Sequence, residues 1–254
     1  MQRFVDIGGR RLAATRTGTG SPTVILETGL GAESNEWLGV QEKISTSTQV
    51  LRYDRAGRGA SDAAPKPRTA AAMLADLRTL LRVEDLEGPY VLVGHSFGGL
   101  LMRLFTHQHP QEVQALILVD SMHEDQFDVF GPLFPAPTPT EPRELTGMRS
   151  LWTGGWRSPD ATTEGIDFTT SLRDARAIKS LGQVPLRVLT AGTFTNSKLI
   201  PEQSRAALQE RWEGLQRTFL RLSTHARQSF VRDSGHFMQR DNPEAIIQAI
   251  RAVI

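Results

Sequence analysis

The feature that most constrains this chain is the sequence GHSFG at residues 94–98, which joins two apolar segments. Residues 90–93 form a continuous apolar run that is typical of a strand buried on both faces, and residues 100–105 are typical of a helix. A serine at a sharp turn between such elements takes a strained backbone conformation that only small neighbours permit, here two glycines. The turn would raise the Ser96 hydroxyl above the sheet edge at a helix N-terminus, which favours developing negative charge. Ser96 is therefore the candidate nucleophile.

Strand patterns alternate with helix patterns along most of the chain. Two alternating strands around Gly8 and Gly9 predict an antiparallel start, and the later strands are short, buried apolar runs. Strands that alternate with helices predict an α/β fold built on a mostly parallel, doubly wound sheet. The buried strands are predicted at residues 23–27, 49–53, 90–93, 115–120, 186–191 and 228–231, and helices at residues 70–83, within 201–217 and at 243–254.

The alternation stops between residues 121 and 184. This segment contains no strong buried strand, and residues 131–139 are rich in proline. Because a structureless loop of this length is uncommon inside a compact domain, we predict an insertion with helices of its own. The sequence is thus divided into a first core part at residues 1–120, a helical cap or lid at residues 121–184, and a second core part at residues 185–254.

Composition excludes several kinds of chemistry and partner. The 254 residues include no cysteine, which excludes disulfides, thiolate metal sites and a cysteine nucleophile. The formal net charge is +1 and the arginines are scattered among carboxylates, so we expect no nucleic-acid partner. The N-terminus lacks the apolar stretch of a signal peptide, and no apolar run approaches the roughly 20 residues of a membrane span. We therefore expect no membrane association and a cytoplasmic location, although a trimmed secreted form would look the same, and either a monomer or a homodimer.

Four segments make the chain resemble the α/β-hydrolase superfamily. They are the GHSFG turn, which looks like that family's nucleophile elbow, the glycine loop at residues 28–31, the loop at residues 54–61 and the histidine loop at residues 233–237. The resemblance spans residues 1–254 and implies that the insertion after the sixth strand is the family's cap domain. It also implies that the arginines of the 54–61 loop brace the sheet edge rather than bind substrate.

A serine hydroxyl needs a general base near neutral pH, and histidine suits this role. His236 follows the last predicted strand and precedes the last predicted helix, so it lies at the sheet edge from which Ser96 projects. It also resembles the family's histidine loop, and it is our candidate base. His95 is expected to point away from Ser96 and to pack beside the sheet. The other four histidines are expected to be structural or exposed: His107, His109, His123 and His225. For His123, a position that lines the pocket is left open.

The third catalytic group should be a carboxylate that fixes the tautomer of the histidine. Many members of the family supply it from the loop after the seventh strand, but residues 191–197 contain no carboxylate. Some relatives place it at the end of strand six, where this chain has Asp120. The resemblance therefore implies a triad in which Asp120 joins the serine and the histidine, with Glu124 and Asp125 as alternatives for the acid. Asp120 could also simply cap the turn after its strand.

The tetrahedral intermediate of acyl transfer carries an oxyanion, which needs fixed backbone donors. One donor should be the N–H of Phe97, the residue after the nucleophile. The resemblance places the second in the glycine loop, where we nominate the N–H of Leu30 and leave Gly31 open as an alternative.

These residues and the resemblance imply a serine hydrolase that cleaves a carboxylic ester or a lactone with an apolar part through an acyl-enzyme. Aromatic side chains in or near the insertion would pack the cap or line an acyl pocket. The mechanism requires no metal or organic cofactor. The same residues would serve amide, peptide or carbon–carbon bond hydrolysis, acyl transfer, or a small-molecule receptor built on the fold. A serine at position 96 argues against dehalogenase and epoxide hydrolase chemistry, which needs a carboxylate nucleophile on this fold.

Overall fold

A single sheet runs through the computed structural model, which describes residues 1–134 and 136–254. The strand order within these residues is β1-β2-β4-β3-β5-β6-β7-β8. β2 runs antiparallel to both of its neighbours, and the pairings from β4 to β8 are parallel, as the sequence predicted. The strands are β1 (Arg3–Asp6), β2 (Arg11–Thr17), β3 (Thr23–Glu27), β4 (Val50–Tyr53), β5 (Tyr90–His95), β6 (Val113–Val119), β7 (Leu186–Ala191) and β8 (Ala226–Val231).

Helices cover both faces of the sheet, which confirms the doubly wound α/β prediction. α1 and α9 share one apolar layer with the sheet, and α2, α3 and α6 share the other. Within the described residues, no helix combines the length and the apolar character needed to cross a bilayer. The α-helices are α1 (Leu38–Ile44), α2 (Ala70–Val83), α3 (Phe97–Gln108), α4 (Gln126–Phe130), α5 (Arg143–Thr153), α6 (Phe168–Arg176), α7 (Glu202–Thr218), α8 (Met238–Asp241) and α9 (Pro243–Arg251).

The central strand β5 is buried along its whole length, because its side chains alternate between the two layers. Leu92 lies in the layer of α2 and α3, whereas Val91 and Val93 lie in the layer of α1 and α9. In the ladder, Leu92 is opposite Ile25 of β3 and Leu116 of β6. The residue that follows β5 therefore emerges from the middle of the carboxyl edge of the parallel sheet.

The segment between β6 and β7 carries helices of its own, α4 to α6. An apolar cluster joins this insertion to α7 and to the loop after β7, since Phe130 and Leu145 are buried together with Phe194 and Trp212. The rings of Phe130 and Phe194 are stacked, with centroids 5.1 Å apart. The insertion thus packs beside the carboxyl edge of the sheet, and its role as a separate cap stays a prediction.

Two helices begin as their sequences indicate. The Thr69 side chain accepts a hydrogen bond from the N–H of Ala72 at the start of α2, and Asn242 caps α9 in the same way through the N–H of Ala245. Helix α1 was not predicted, because seven residues are too few to display a clear helical period.

Candidate active site

Ser96 lies between β5 and α3 with φ of +51° and ψ of −120°, a strained conformation for a residue with a side chain. Its N–H donates to the carbonyl of Val119 at 3.1 Å, which ties the turn to β6. Glycine is required on both sides of the serine, because neighbouring backbone atoms leave no room for a side chain. A Cβ on Gly94 would lie 2.5 Å from the carbonyl oxygen of Gly98, and one on Gly98 would lie 2.5 Å from that of Thr28. The turn therefore has the sharp geometry predicted for it.

His236 and Asp120 are brought together across 116 residues of sequence. The Nδ1 of His236 lies 2.7 Å from Oδ2 of Asp120, whose side chain is 0% exposed. Asp120 follows β6 directly, with φ of +43°, and its N–H donates to the carbonyl of Leu189. Because the carboxylate accepts a hydrogen bond from the N–H at Nδ1, the Nε2 atom of His236 is left as the nitrogen that can take up another proton.

The Asp120 carboxylate has further donors that the sequence did not reveal. Its Oδ1 accepts from the N–H of Ala191 at 3.0 Å and from the indole N–H of Trp212 at 2.7 Å. Its Oδ2 also accepts from the hydroxyl of Thr193. The loop after β7, which lacks the family's carboxylate, instead supplies donors to the carboxylate after β6. No pattern in the sequence distinguishes Trp212 from an ordinary core residue of an amphipathic helix.

Ser96 and His236 both line a cavity of about 400 Å³. Within the described residues, no hydrogen bond joins the Ser96 hydroxyl to His236. Hydrogen bonds between catalytic groups are often long or unformed before a ligand binds. Three lining residues, Gln126, Met148 and Trp152, come from the insertion. The wall is mostly apolar and includes Met148, Trp152, Phe194, Leu199, Ile200, Trp212 and Phe237.

The glycine loop lies directly against the serine turn. An ideal Cβ on Gly29 would be 3.3 Å from the Cβ of Ser96. The N–H of Gly31 donates to Oε1 of Glu164 at 2.6 Å, so this N–H is already engaged and Gly31 is the weaker of the two alternatives for an oxyanion donor. Leu30 is half-buried in the same loop, and Phe97 is the buried first residue of α3. The use of their N–H groups stays a prediction.

Arg55 is buried beneath the glycine loop. Its guanidinium forms ion pairs with Glu27, at 2.6 Å, and with both oxygens of Glu164, at 2.8 Å. It also donates to the carbonyls of Thr28 and Gly29, each at 2.7 Å. Every N–H of the side chain thus faces an acceptor within the protein, and Arg55 does not line the cavity with Ser96.

The sequence model of the alpha/beta hydrolase fold matches residues 22–147, about half of the chain, including the serine turn and Asp120. The chain belongs to the α/β hydrolase superfamily. This assignment agrees with the strand order and with the strained serine after the central strand.

Several relatives resemble this α/β hydrolase over most of its length. The protein YqjL of Bacillus subtilis (strain 168) is 26% identical over 237 residues, which cover 92% of this chain and 84% of that protein. A thermophilic esterase from Thermogutta terrifontis superposes with a TM-score of 0.64 at 21% identity, covering 99% of this chain and 97% of the esterase. The epoxide hydrolase CorEH superposes with a TM-score of 0.66 at 16% identity, covering 100% of this chain and 98% of CorEH. At these identities the structures show a shared fold alone, and the reaction must be argued from the site.

His95 of this hydrolase packs beside the sheet, as expected, but it also contacts the histidine loop. Its Nε2 lies 2.8 Å from the carbonyl oxygen of His236, and its Nδ1 lies 3.3 Å from Nε2 of Gln239. Burial lowers the pKa of His95 well below its ordinary value, so the ring is neutral at pH 7. A neutral ring with both contacts donates from Nε2 to the carbonyl and accepts at Nδ1 from the amide. His95 thus holds the backbone that carries His236.

The alternative acids are engaged elsewhere. Glu124 forms an ion pair with the buried Arg103 at 2.7 Å, and Asp125 forms one with Arg176 at 2.8 Å. His123 is buried against Thr218, with Nε2 2.9 Å from the hydroxyl oxygen, and does not line the cavity with Ser96. The other histidines lie outside that cavity in the described chain: His107, His109 and His225.

A larger cleft of about 990 Å³ opens at the other end of β5, beside Tyr90. Its lining mixes charged and uncharged side chains, and the ion pair of Arg78 with Glu112 lies at its wall. No serine or histidine is among its lining residues in the described chain. The candidate nucleophile and base line the smaller cavity instead.

Proposed function

We propose that this α/β hydrolase is a serine hydrolase that cleaves a carboxylic ester or a lactone with an apolar part. The observation that carries the proposal is the 2.7 Å contact of His236 with the buried Asp120 at the wall of an apolar cavity that Ser96 also lines. A nucleophile, an oriented base and an apolar binding space are thus adjacent, which is the combination that acyl transfer by serine requires.

The reaction proceeds in two halves. His236 takes the hydroxyl proton of Ser96 at Nε2 while the serine oxygen attacks the carbonyl carbon, and Asp120 stabilises the imidazolium. The backbone N–H groups of Leu30 and Phe97 bind the oxyanion. The imidazolium then gives its proton to the departing alkoxide, which leaves an acyl-enzyme. Water, deprotonated by His236, cleaves the acyl-enzyme and restores the serine hydroxyl.

The cavity supports an uncharged, apolar substrate part. A volume of about 400 Å³ lies within the range of small-molecule sites, and most of the lining surface is apolar. Trp152 and Met148 contribute to that wall, so residues 121–184 act as a cap over the bound acyl or alcohol group. Epoxide hydrolysis, the reaction of CorEH, uses a carboxylate nucleophile on this fold, and the serine at position 96 favours the reaction of the esterase instead.

The first test is hydrolysis of a series of nitrophenyl acyl esters by the native protein and by Ser96→Ala. We expect multiple turnovers by the native protein and their loss in the variant, while Ser229→Ala, on an exposed face of β8, keeps full activity. Turnover that persists in folded Ser96→Ala would contradict the proposal. If the native protein cleaves no ester but an organophosphonate labels Ser96, lactones and amides become the substrates to test.

A further inference from the structure

Three charged side chains are buried together under the glycine loop. Glu27 ends β3, Arg55 follows β4, and Glu164 belongs to the insertion, just before α6. Their side chains are 0%, 2% and 0% exposed, respectively. Buried charges are costly unless they are paired and fully hydrogen-bonded, and this group satisfies both conditions.

The group holds the loop on both sides of Leu30. Arg55 donates to the carbonyls of Thr28 and Gly29, and Glu164 accepts from the N–H of Gly31 at 2.6 Å. Arg58 adds a hydrogen bond to the carbonyl of Gly31. The peptide planes that flank Leu30 are therefore fixed by charged groups, and the direction of its N–H follows from them.

The pKa shifts agree with an ionised pair at the centre of the group. Burial raises the pKa of Glu164, but the guanidinium of Arg55 outweighs burial and the net shift is downward. Burial lowers the pKa of Arg55, and the two carboxylates outweigh it in turn, so its net shift is upward. Glu27 differs, because burial dominates and its pKa is raised. The carboxylate of Glu164 thus raises the pKa of Arg55 more than that of Glu27 does.

We infer that Glu164 and Arg55 are positioning residues for the oxyanion donor at Leu30, and that the insertion must be seated on the core for the oxyanion site to form. The inference rests on the proposed function. Glu164 has two effects on the loop, since it anchors Arg55 and occupies the N–H of Gly31. Neither residue lines the cavity with Ser96, so their contribution concerns the geometry in which the transition state is bound.

A positioning role predicts a specific kinetic signature. Interactions that form with the oxyanion are stronger in the transition state than in the ground state, so their loss lowers kcat and leaves KM nearly unchanged. A residue needed only for folding would lower the melting temperature without this split.

The test is Glu164→Gln, which keeps the side-chain shape but removes the charge that Arg55 faces. We expect kcat for a nitrophenyl ester to fall about 10- to 100-fold, with KM within about twofold. A boronic acid, whose adduct with Ser96 carries an anionic oxygen, should bind more weakly by a similar factor. The matched control is Glu141→Gln, which removes the ion pair with Arg149 on the same insertion and should change neither quantity.

Folded Glu164→Gln with kcat and boronate affinity both within about twofold of the native values would overturn the inference. If this variant does not fold, Arg55→Lys, which keeps the charge but loses the planar fork, is measured in the same way. It should lower kcat with KM nearly unchanged, and a kcat within about twofold of the native value would overturn the inference. If the native protein cleaves neither esters nor lactones, the proposed function fails. The rate at which an organophosphonate labels Ser96 in the native protein and in the variants then still decides the inference.

Discussion

The indole N–H of Trp212 donates to Oδ1 of Asp120 at 2.7 Å, on the carboxylate oxygen opposite the one that contacts His236. Trp212→Phe keeps an aromatic ring but leaves a fully buried carboxylate with one donor fewer. We expect the free energy of unfolding in urea to fall by about 1–3 kcal/mol.

The control for this substitution is Trp37→Phe. Trp37 is also fully buried, but its indole N–H has no partner in the described part of the chain. Removing that N–H relieves an unsatisfied group, which offsets part of the cost of the smaller ring, so the loss should be smaller than in Trp212→Phe. Equal losses in the two variants would mean that ring packing, rather than the hydrogen bond to Asp120, is what Trp212 contributes.

Asp120→Asn tests the acid of the proposed triad. The amide cannot serve as the charged partner of His236 Nδ1, so we expect kcat for ester hydrolysis to fall by about four orders of magnitude with the fold retained by circular dichroism. Glu124→Gln and Asp125→Asn should remain active, since their carboxylates face Arg103 and Arg176. Full activity of folded Asp120→Asn would place the acid elsewhere.

The buried histidines predict a loss of stability on acidification. The pKa of His95 is lowered well below 6.5 by burial, and burial also lowers the pKa of His123. Each group therefore binds fewer protons in the folded than in the unfolded state once the pH is below about 6.5, and its stabilising contribution, complete above that pH, is lost as the pH falls. Urea unfolding between pH 7.5 and 5 should give a slope of up to about 1.4 kcal/mol per pH unit for each group.

His95→Gln should remove the larger part of that slope, because burial lowers the pKa of His95 further than that of His123. The exposed His107 supplies the control, since His107→Gln leaves the pH dependence unchanged. An unchanged slope in His95→Gln would mean that acid destabilisation arises from other groups.

Trp152 lies in the wall of the apolar cavity, so its size should limit the acyl chain. Trp152→Ala should shift the preference toward longer acyl esters, with kcat/KM gaining up to about fourfold for each further methylene that is buried. Trp156, which stacks on Phe127 elsewhere in the insertion, provides the comparison. If Trp156→Ala shifts the chain-length preference equally, general loosening of the insertion is the cause.

Much of the fold could be predicted because its signals are local. The strand at 23–27 and the helix at 70–83 were predicted with their observed bounds, from an uninterrupted apolar run and from apolar residues three and four apart. The strained serine was equally readable, because two glycines and a buried strand constrain the turn in one short segment. Asp120 was nominated from the family resemblance, as a carboxylate directly after a buried strand.

The surroundings of the site could not be predicted, because they depend on contacts between distant segments. Glu164 meets Gly31 across 133 residues, and Trp212 meets Asp120 across 92. Neither side chain belongs to a motif, and both have the composition of ordinary helix or loop residues. Sequence periodicity reports which face of an element is buried, but not which residue of another element it meets.

The seating of Glu164 against Arg55 and Gly31 bears on how such enzymes could be recombined. A chimaera that replaced residues 121–184 with the lid of another hydrolase would retain every strand, the serine turn and the acid–base pair, yet would lose the carboxylate that closes the glycine loop. The graft would need to deliver an acidic side chain to the same point. We therefore expect lid exchange in this scaffold to alter the proposed catalytic apparatus as well as substrate selection.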